Sequence, residues 1–278
     1  MRLAVILIII AVFFKIFLLE AFQIPTSSME NTLLAGDFII VNKIAYKIST
    51  PTKIPFTNIK IPHFTLLETW EPEINELVVF DYPKKFLQDS DITTNQFIKR
   101  IVAGPGDTLQ FINKKIFVNN EELMLPPTIK YSNEYVRRRG IVEDNIFPNG
   151  SKWNRDNYGP IIIPKKGDTI DVNSRNLQRV KQIIVMDYGE RVLREEGTVI
   201  TLNAKPIQEY VIQNDNYFVI GDNLDVSMDS RYLGFITEEM IIGKALFIYW
   251  SMDSEKSAPG PLGFLSEIRA NRIFKGVD

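Results

Sequence analysis

The sequence predicts a mainly β protein that follows one N-terminal membrane helix. Two observations lead to this class. The chain opens on a long apolar run, and beyond Gly36 its apolar segments are short, rich in β-branched and aromatic residues, and separated by turns. With 278 residues, 45% of them hydrophobic, the chain is long enough for one or two domains with a large core.

The first element is the run "LAVILIIIAVFFKIFLL", from Leu3 to Leu19, whose one charge is Lys15. A helix of this length spans roughly 26 Å, close to the hydrocarbon thickness of a bilayer, and it lengthens if it extends to Phe22. A cleavable signal peptide is the alternative, but no small-x-small cleavage site follows the run. We therefore expect an uncleaved anchor over residues 1–22, with Arg2 keeping the N-terminus in the cytoplasm.

The strand signal occurs in short segments bounded by turn residues. These segments are residues 38–46, 76–80, 97–103, 108–112, 115–119, 160–164, 198–202, 217–221 and 244–250. Asn113 and Lys114 fall between two of them and predict the tip of a hairpin. Helices are expected over residues 176–193 and 265–274, and the polar region 108–214 is predicted to be an excursion between the strands on either side of it.

Composition excludes several kinds of site. The net charge of -2 provides no basic field, so nucleic acid is not expected as a partner. The absence of cysteine excludes disulfides, thiolate nucleophiles and cysteine-ligated metals. His63 is the one histidine, so a multi-histidine metal site is impossible, and the base for a serine nucleophile would be His63, a carboxylate or a lysine. We expect neither a metal nor an organic cofactor.

Three hydroxyls, those of Thr26, Ser27 and Ser28, follow the apolar run in "IPTSSMENTLLAGD". One interpretation is a helix capping box, Ser27-x-x-Glu30, in which the two side chains bind free backbone N–H groups. The other is a serine nucleophile held close to a membrane. Gly36 weakens the first interpretation because it ends any helix within about two turns.

A lysine lies inside the strand segment "FIKRIVAGPGD", residues 97–107. Strand alternation places Phe97, Lys99 and Ile101 on one face. Lys99 and Arg100 are either a charged pair at the surface, or Lys99 is held among apolar side chains. In the second case loss of hydration lowers the pKa of the ammonium, and the neutral amine acts as a general base near neutral pH.

Four stretches, in this order, resemble a known family: "FQIPTSSM", "GDFIIVNKIAY", "FIKRIVAGPGD" and "GDNLDVSMDSRYLGFI". With the membrane helix directly ahead of them, the chain resembles bacterial type I signal peptidases, membrane-anchored Ser/Lys proteases that remove secretory signal peptides. The resemblance implies a signal-peptidase-like β catalytic core formed by residues 23–107 and 215–278. Residues 108–214 would be the inserted variable domain.

The resemblance also implies roles for individual residues. Ser28 corresponds to the nucleophile and Lys99 to the general base, while Thr26 and the backbone N–H of Ser28 correspond to the oxyanion hole. Ser227 matches a serine whose hydroxyl orients the lysine. The charged residues that support the site would be Arg100, Asp222, Asp229 and Arg231. The pockets for the P1 and P3 substrate residues would be lined by Ile24, Pro25, Met29, Leu33, Phe97 and Ile98.

Partners and location follow from the same resemblance. The substrates would be signal peptides of secretory preproteins, cleaved after an A-x-A-like sequence, and the lipid bilayer would be the second partner. The chain would cross the bacterial cytoplasmic (inner) membrane once and carry its catalytic domain on the outer face. The oligomeric state is left open.

The chain departs from the family pattern at three places. Thr26 and Ser27 replace the commoner serine and glycine, which leaves a hydroxyl for the oxyanion hole. Glu30-Asn31-Thr32 stands where the family usually has x-Pro-Thr, and Leu224 and Val226 replace an arginine and an asparagine.

Two other functions stay open at this point. One is a Ser/Lys protease with another substrate, such as a self-cleaving repressor domain, which should lack a membrane helix. The other is a non-catalytic, membrane-anchored β-domain whose 221–235 loop holds calcium, although the spacing of Asp222, Asp225 and Asp229 does not fit the 12-residue calcium loop.

Overall fold

The computed structural model describes residues 18–50, 64–87, 94–129, 131–173, 175–188, 193–196, 199–253 and 264–277. Strands predominate in this part of the chain, as the sequence predicts. In chain order they are β1 (Leu19–Gln23), β2 (Asp37–Asn42), β3 (Lys47–Ser49), β4 (Thr65–Glu68), β5 (Leu77–Asp81), β6 (Gln96–Ala103), β7 (Thr108–Ile112), β8 (Lys115–Val118), β9 (Glu121–Glu122), β10 (Tyr158–Ile162), β11 (Thr169–Asp171), β12 (Leu193–Glu196), β13 (Val199–Leu202), β14 (Lys205–Pro206), β15 (Glu209–Val211), β16 (Asn216–Ile220), β17 (Ile236–Thr237), β18 (Ile241–Ser251) and β19 (Lys275–Gly276). The α-helices are α1 (Leu177–Tyr188), α2 (Ser230–Leu233) and α3 (Phe264–Glu267).

The largest sheet has the strand order β1-β2-β18-β5-β6-β16-β17, and β19 pairs with β18. Neighbouring strands in it are antiparallel. A second sheet, in the order β10-β7-β8-β9, is built from the polar middle region. The large sheet brings β6 next to β16, so the loop that leaves β16 starts beside the middle of β6, where Ile220 lies opposite Arg100.

Three apolar clusters pack around these sheets. The first joins β7, β8, β10 and α1 to β16 and the loop after it, so it combines side chains from residues 108–214 with side chains outside that region. The second covers the face of the large sheet formed by β2, β18, β5 and β6. The third lies against β5, β6, β16 and the region around α2 and β17. Both faces of β6 are therefore covered, which buries its central residues.

Most predicted strands are found within a few residues of their expected positions. The predicted hairpin tip is confirmed: Asn113 and Lys114 join β7 to β8 with positive φ angles of 49° and 72°, as a tight hairpin turn requires. The predicted strand 38–46 was too long, because β2 ends at Asn42 and a turn follows.

The predicted membrane anchor is largely outside the described residues, which begin at 18. Its extension to Phe22 is wrong, because Leu19–Gln23 forms β1 and pairs along its whole length with β2. Within the described residues, no helix has the length and apolar character needed to cross a bilayer. His63 also falls outside the described residues.

Two helix predictions need correction. The helix expected over 176–193 is α1, which stops at Tyr188, and residues 193–196 form β12 instead. The helix expected over 265–274 is absent from the described residues as a continuous element: α3 is followed by a single 3-10 turn, Ala270–Arg272. The backbone is bound to the sheet instead, since Arg269 N donates to Ser251 O and Phe274 N donates to Ile248 O.

A buried carboxylate explains why this C-terminal segment turns inward. Asp37, at the start of β2, has no exposed surface and accepts hydrogen bonds from the Arg272 guanidinium on both oxygens. Ser251 Oγ donates to the same carboxylate at 2.6 Å and Leu34 N donates at 2.8 Å. Arg272 Nη2 also donates to Thr32 O at 2.9 Å, so the C-terminal segment is tied to the turn ahead of β2.

We expect Arg272→Leu to lower the free energy of unfolding by about 3 kcal/mol, because the buried Asp37 carboxylate loses its bidentate partner and keeps only Arg269, 3.9 Å away, as a counter-charge. Urea unfolding of the detergent-solubilised chain measures this loss. The matched control is Glu122→Gln, which breaks the exposed pair with Lys115 and should change the free energy by less than about 1 kcal/mol. A loss for Arg272→Leu no larger than the control's would contradict a structural role for the buried pair.

Candidate active site

The turn that carries Ser28 connects β1 to β2 and is held on the large sheet by apolar side chains. Leu33 N donates to Met29 O at 2.8 Å, and this single helical turn sets the two side chains on one side. Both are fully buried, together with Ile24, against β5 and β6 residues that include Ile98. Burial of a Met or Leu side chain contributes about 1.5–3 kcal/mol. The turn is therefore anchored directly on both sides of Ser28.

Lys99 meets Ser28 from the middle of β6. Its side chain is 2% exposed, and Nζ donates a hydrogen bond to Ser28 Oγ at 2.6 Å. The Thr26 hydroxyl lies 3.3 Å from the same Ser28 oxygen. The interpretation of Lys99 and Arg100 as a charged pair at the surface is wrong, because both side chains are buried.

Burial lowers the pKa of Lys99 from its ordinary value of 10.5 to about 8, because the charged ammonium loses its hydration. Nearby charges modify this effect. The carboxylates of Asp229 and Asp222 raise the pKa, and the Arg231 guanidinium lowers it. The burial effect is the largest, so a substantial fraction of the amine is neutral only slightly above neutral pH.

Two buried ion pairs stand behind the lysine. Arg231 and Asp229 have no exposed surface and share two hydrogen bonds, Nε to Oδ1 at 2.9 Å and Nη2 to Oδ2 at 2.8 Å. Arg100 and Asp222 form the same paired geometry at 2.8 and 2.7 Å. Both oxygens of each carboxylate are thus bound by a guanidinium group. The structure therefore does not support Asp222 and Asp229 as calcium ligands.

Ser227 has a buried hydroxyl that makes no hydrogen bond to any described residue. The contact with the lysine that the resemblance implies therefore stays a prediction. Gly221 places Ser227 close to the nucleophile: a Cβ atom on Gly221 would lie 2.2 Å from Ser227 Oγ and 2.5 Å from Ser28 O. The absence of a side chain at Gly221 is what leaves room for both serines.

The residues expected to line the substrate pockets divide into two groups. Four of them, Ile24, Met29, Leu33 and Ile98, are buried in the cluster beneath the turn. Pro25 is exposed and Phe97 is half-buried. The structure therefore gives the first group an anchoring position, leaves Pro25 at the surface and packs one side of Phe97 against Phe80.

Sequence reasoning missed two residues that hold this turn. Thr32 Oγ1 donates to the Asp222 carboxylate, and Asn223 N donates to Ser28 O at 3.1 Å. Both lie inside the quoted motifs, but their partners are far away in the chain and left no local signal. The capping-box interpretation is wrong, because no helix begins at Ser27 and the Glu30 carboxylate accepts from Asn223 instead.

Comparison with known proteins is consistent with this geometry. The family model described as signal peptidase, peptidase S26, matches residues 1–250. A protein named signal peptidase I from Buchnera aphidicola subsp. Schizaphis graminum is 32% identical over 92% of this chain and 74% of its own length. Another from Buchnera aphidicola subsp. Acyrthosiphon pisum is 30% identical over 96% and 78%, and one from Aquifex aeolicus is 30% identical over 95% and 88%.

Replacing Lys99 by methionine should stabilise the fold at pH 7. Below pH 8 both the folded and the unfolded chain hold the lysine proton, so the folded chain bears the full cost of the buried charge, about 3 kcal/mol. This cost disappears as the pH rises from 8 to 10.5, because the folded chain is then neutral at Lys99. Urea unfolding of Lys99→Met and wild type across this range measures it. A pH-independent difference, like that expected of the exposed control Lys115→Met, would contradict the lowered pKa.

Gly221→Ala should reduce cleavage of a signal-peptide substrate by about tenfold or more, because the new Cβ displaces Ser28 or Ser227. The control is Gly276→Ala, where the space around a Cβ is open, and it should keep the wild-type rate. Steady-state kinetics of both variants test this. A wild-type rate in Gly221→Ala would show that the crowding around Gly221 has no bearing on the reaction.

Proposed function

The chain belongs to the signal peptidase family, peptidase S26, and on that premise we propose that Ser28 and Lys99 carry out its reaction. It is a serine endopeptidase that removes signal peptides from secretory preproteins. The observation that carries the assignment is the hydrogen bond of 2.6 Å between Lys99 Nζ and Ser28 Oγ, made by a lysine withdrawn from solvent. A nucleophile with its base in hydrogen-bond reach is the arrangement that such a reaction requires.

The reaction begins with neutral Lys99 accepting the Ser28 hydroxyl proton while Ser28 Oγ attacks the scissile carbonyl carbon. The C–N bond of the resulting tetrahedral intermediate then breaks, and Lys99 returns the proton to the leaving amine. Water, activated by the same amine, hydrolyses the acyl-enzyme. We assign the developing oxyanion to the Thr26 hydroxyl and the Ser28 N–H, and one such donor contributes about 3 kcal/mol to transition-state stabilisation.

The surroundings of the dyad have supporting roles in this proposal. The pairs Arg100–Asp222 and Arg231–Asp229 limit the attraction of the carboxylates for the Lys99 proton, and Ser227 orients the amine. Pro25 and Phe97 contact the substrate beside the nucleophile. The bottom of the substrate pockets is formed by the buried side chains of Ile24, Met29, Leu33 and Ile98. They leave room only for small side chains at P1 and P3.

Signal peptidases of this family are associated with the membrane in bacteria. We place the chain in the cytoplasmic (inner) membrane through one span before β1, with the N-terminus inside and the site on the outer face. The apolar run that ends at Leu19, a few residues ahead of Ser28, supports this topology. A substrate that is itself inserted in the membrane is then concentrated near the nucleophile. We also propose the division into a catalytic core, residues 23–107 and 215–278, and an inserted domain, residues 108–214.

Ser28→Ala and Lys99→Ala should each lose cleavage of a preprotein with alanine at P1 and P3, because one removes the nucleophile and the other its base. In wild type, kcat/KM should rise with pH and level off above a midpoint of about 8, where Lys99 becomes neutral. The controls are Ser151→Ala, whose hydroxyl has no partner among the described residues, and the exposed Lys115→Ala. Full activity in Ser28→Ala or Lys99→Ala would refute the dyad.

A further inference from the structure

Asn223, the residue after Asp222 in the loop that leaves β16, binds the Ser28 turn at three points. Its backbone N–H donates to Ser28 O at 3.1 Å. Its side-chain Nδ2 donates to Ser27 O at 3.3 Å and to Glu30 Oε2 at 3.1 Å. Asn223 itself is buried, whereas Ser27 is exposed and Glu30 is half-buried. One residue from the far side of the sheet thus holds the nucleophile together with the residues on both sides of it.

Ser132, in the polar middle region, binds the oxygen of this amide. Ser132 Oγ donates to Asn223 Oδ1 at 3.1 Å, which leaves Nδ2 for Ser27 O and Glu30. The reversed amide would direct its oxygen at a carbonyl and a carboxylate, both of which only accept hydrogen bonds. The two acceptors, Ser27 O and the Glu30 carboxylate, therefore select this orientation, and the Ser132 hydroxyl completes it by donating to the amide oxygen.

The segment around Ser132 is itself held against both catalytic loops. Asn31 Nδ2, in the Ser28 turn, donates to Thr128 O at 3.2 Å. Asn133 N donates to the Asp225 carboxylate at 2.8 Å. The hydroxyl of Ser132 is therefore presented from a backbone that is fixed relative to the turn and to the loop after β16.

We propose that Asn223, Glu30 and Ser132 form a clamp that sets the distance between Ser28 Oγ and Lys99 Nζ. The proposal rests on the proposed function, because the clamp supplies no chemistry of its own. Asn223 is a positioning residue: its side chain binds the turn and not the reacting atoms. A displacement of about 1 Å in the turn would lengthen the contact of 2.6 Å beyond proton-transfer range, and such misplacement costs up to about a hundredfold in rate.

The test compares Asn223→Asp with the double variant Asn223→Asp, Glu30→Gln in the full chain. The single variant keeps the shape of the side chain but faces the Glu30 carboxylate with a second one. We expect kcat to fall about tenfold to a hundredfold while KM stays within about twofold. The double variant exchanges donor and acceptor between residues 223 and 30 and restores the charge of the pair, but it leaves Ser27 O without its donor, so kcat should recover in part, by about threefold to tenfold.

Two further variants separate positioning from general stability. Ser132→Ala removes one bond at an exposed residue and should lower kcat about threefold to fivefold, leaving the activity midpoint at about pH 8 because no charge changes. Asn173→Asp, the matched control in the loop before α1, keeps the acceptor that binds Arg175 N and should leave kcat unchanged. If Asn223→Asp proves unstable in a thermal melt, Ser132→Ala and the double variant decide the question.

The outcomes distinguish the clamp from the dyad. Wild-type kcat in Asn223→Asp or in Ser132→Ala, or a double variant no better than Asn223→Asp, would overturn the clamp while the loss of activity in Ser28→Ala leaves the dyad intact. Cleavage by Ser28→Ala would instead refute the proposed function and the clamp with it. A loss of kcat that the double variant restores supports the clamp when all the variants melt at the wild-type temperature, because general destabilisation is then excluded as the cause.

Discussion

The site depends on one amine being taken out of water next to charges that would otherwise keep it protonated. A buried ammonium beside a free carboxylate is held in its charged form by the pair it makes. Here the two carboxylates that raise the pKa of Lys99, those of Asp222 and Asp229, each give both oxygens to an arginine, and the effect of burial outweighs their attraction for the Lys99 proton. The result is a pKa of about 8 for an amine in contact with Ser28. Arg100 and Arg231 therefore help to keep the pKa of Lys99 low, although neither forms a hydrogen bond with it.

The position of Ser28 against that amine is set by contacts between segments distant in sequence. In the large sheet, β18 and β5 lie between the strands that flank the Ser28 turn and the strand that carries Lys99. The turn crosses this distance over the sheet face, where Met29 and Leu33 are buried. Burial of apolar side chains holds the turn against the sheet but does not set its orientation, because the hydrophobic effect is non-directional. Hydrogen bonds from Arg272 and Asn223 set the orientation of the turn, because hydrogen bonds require a defined distance and angle.

The sequence predicts a feature of the fold or the site well when the interacting residues are close together in the chain, and poorly when they are far apart. Alternation within β6 is local: it places Lys99 between two apolar side chains, but it left a surface position for Lys99 and Arg100 open, and the structure buries both. The periodicity of residues 265–274 is also local, but it predicts a helix where Arg272 instead turns inward to Asp37, a partner 235 positions away. The same limit explains the capping-box interpretation, which pairs Ser27 with Glu30, whereas Glu30 binds Asn223, 193 positions away. Most predictions that depend on one strand alone are confirmed by the structure. Side-chain pairs between distant strands cannot be predicted before the topology is known.

The departures from the family pattern are accommodated by contacts particular to this chain. Asn31 stands where the family usually has proline, and its φ of 85° is in a region that asparagine tolerates and that the proline ring forbids. The Asn31 side chain donates to Thr128 O at 3.2 Å, and this bond ties the turn to the segment around Ser132. Leu224, in place of an arginine, packs into the cluster beneath α1 while its carbonyl accepts from Arg231 at 2.6 Å. Since Thr128 belongs to the polar middle region, this region contributes directly to holding the turn that carries Ser28.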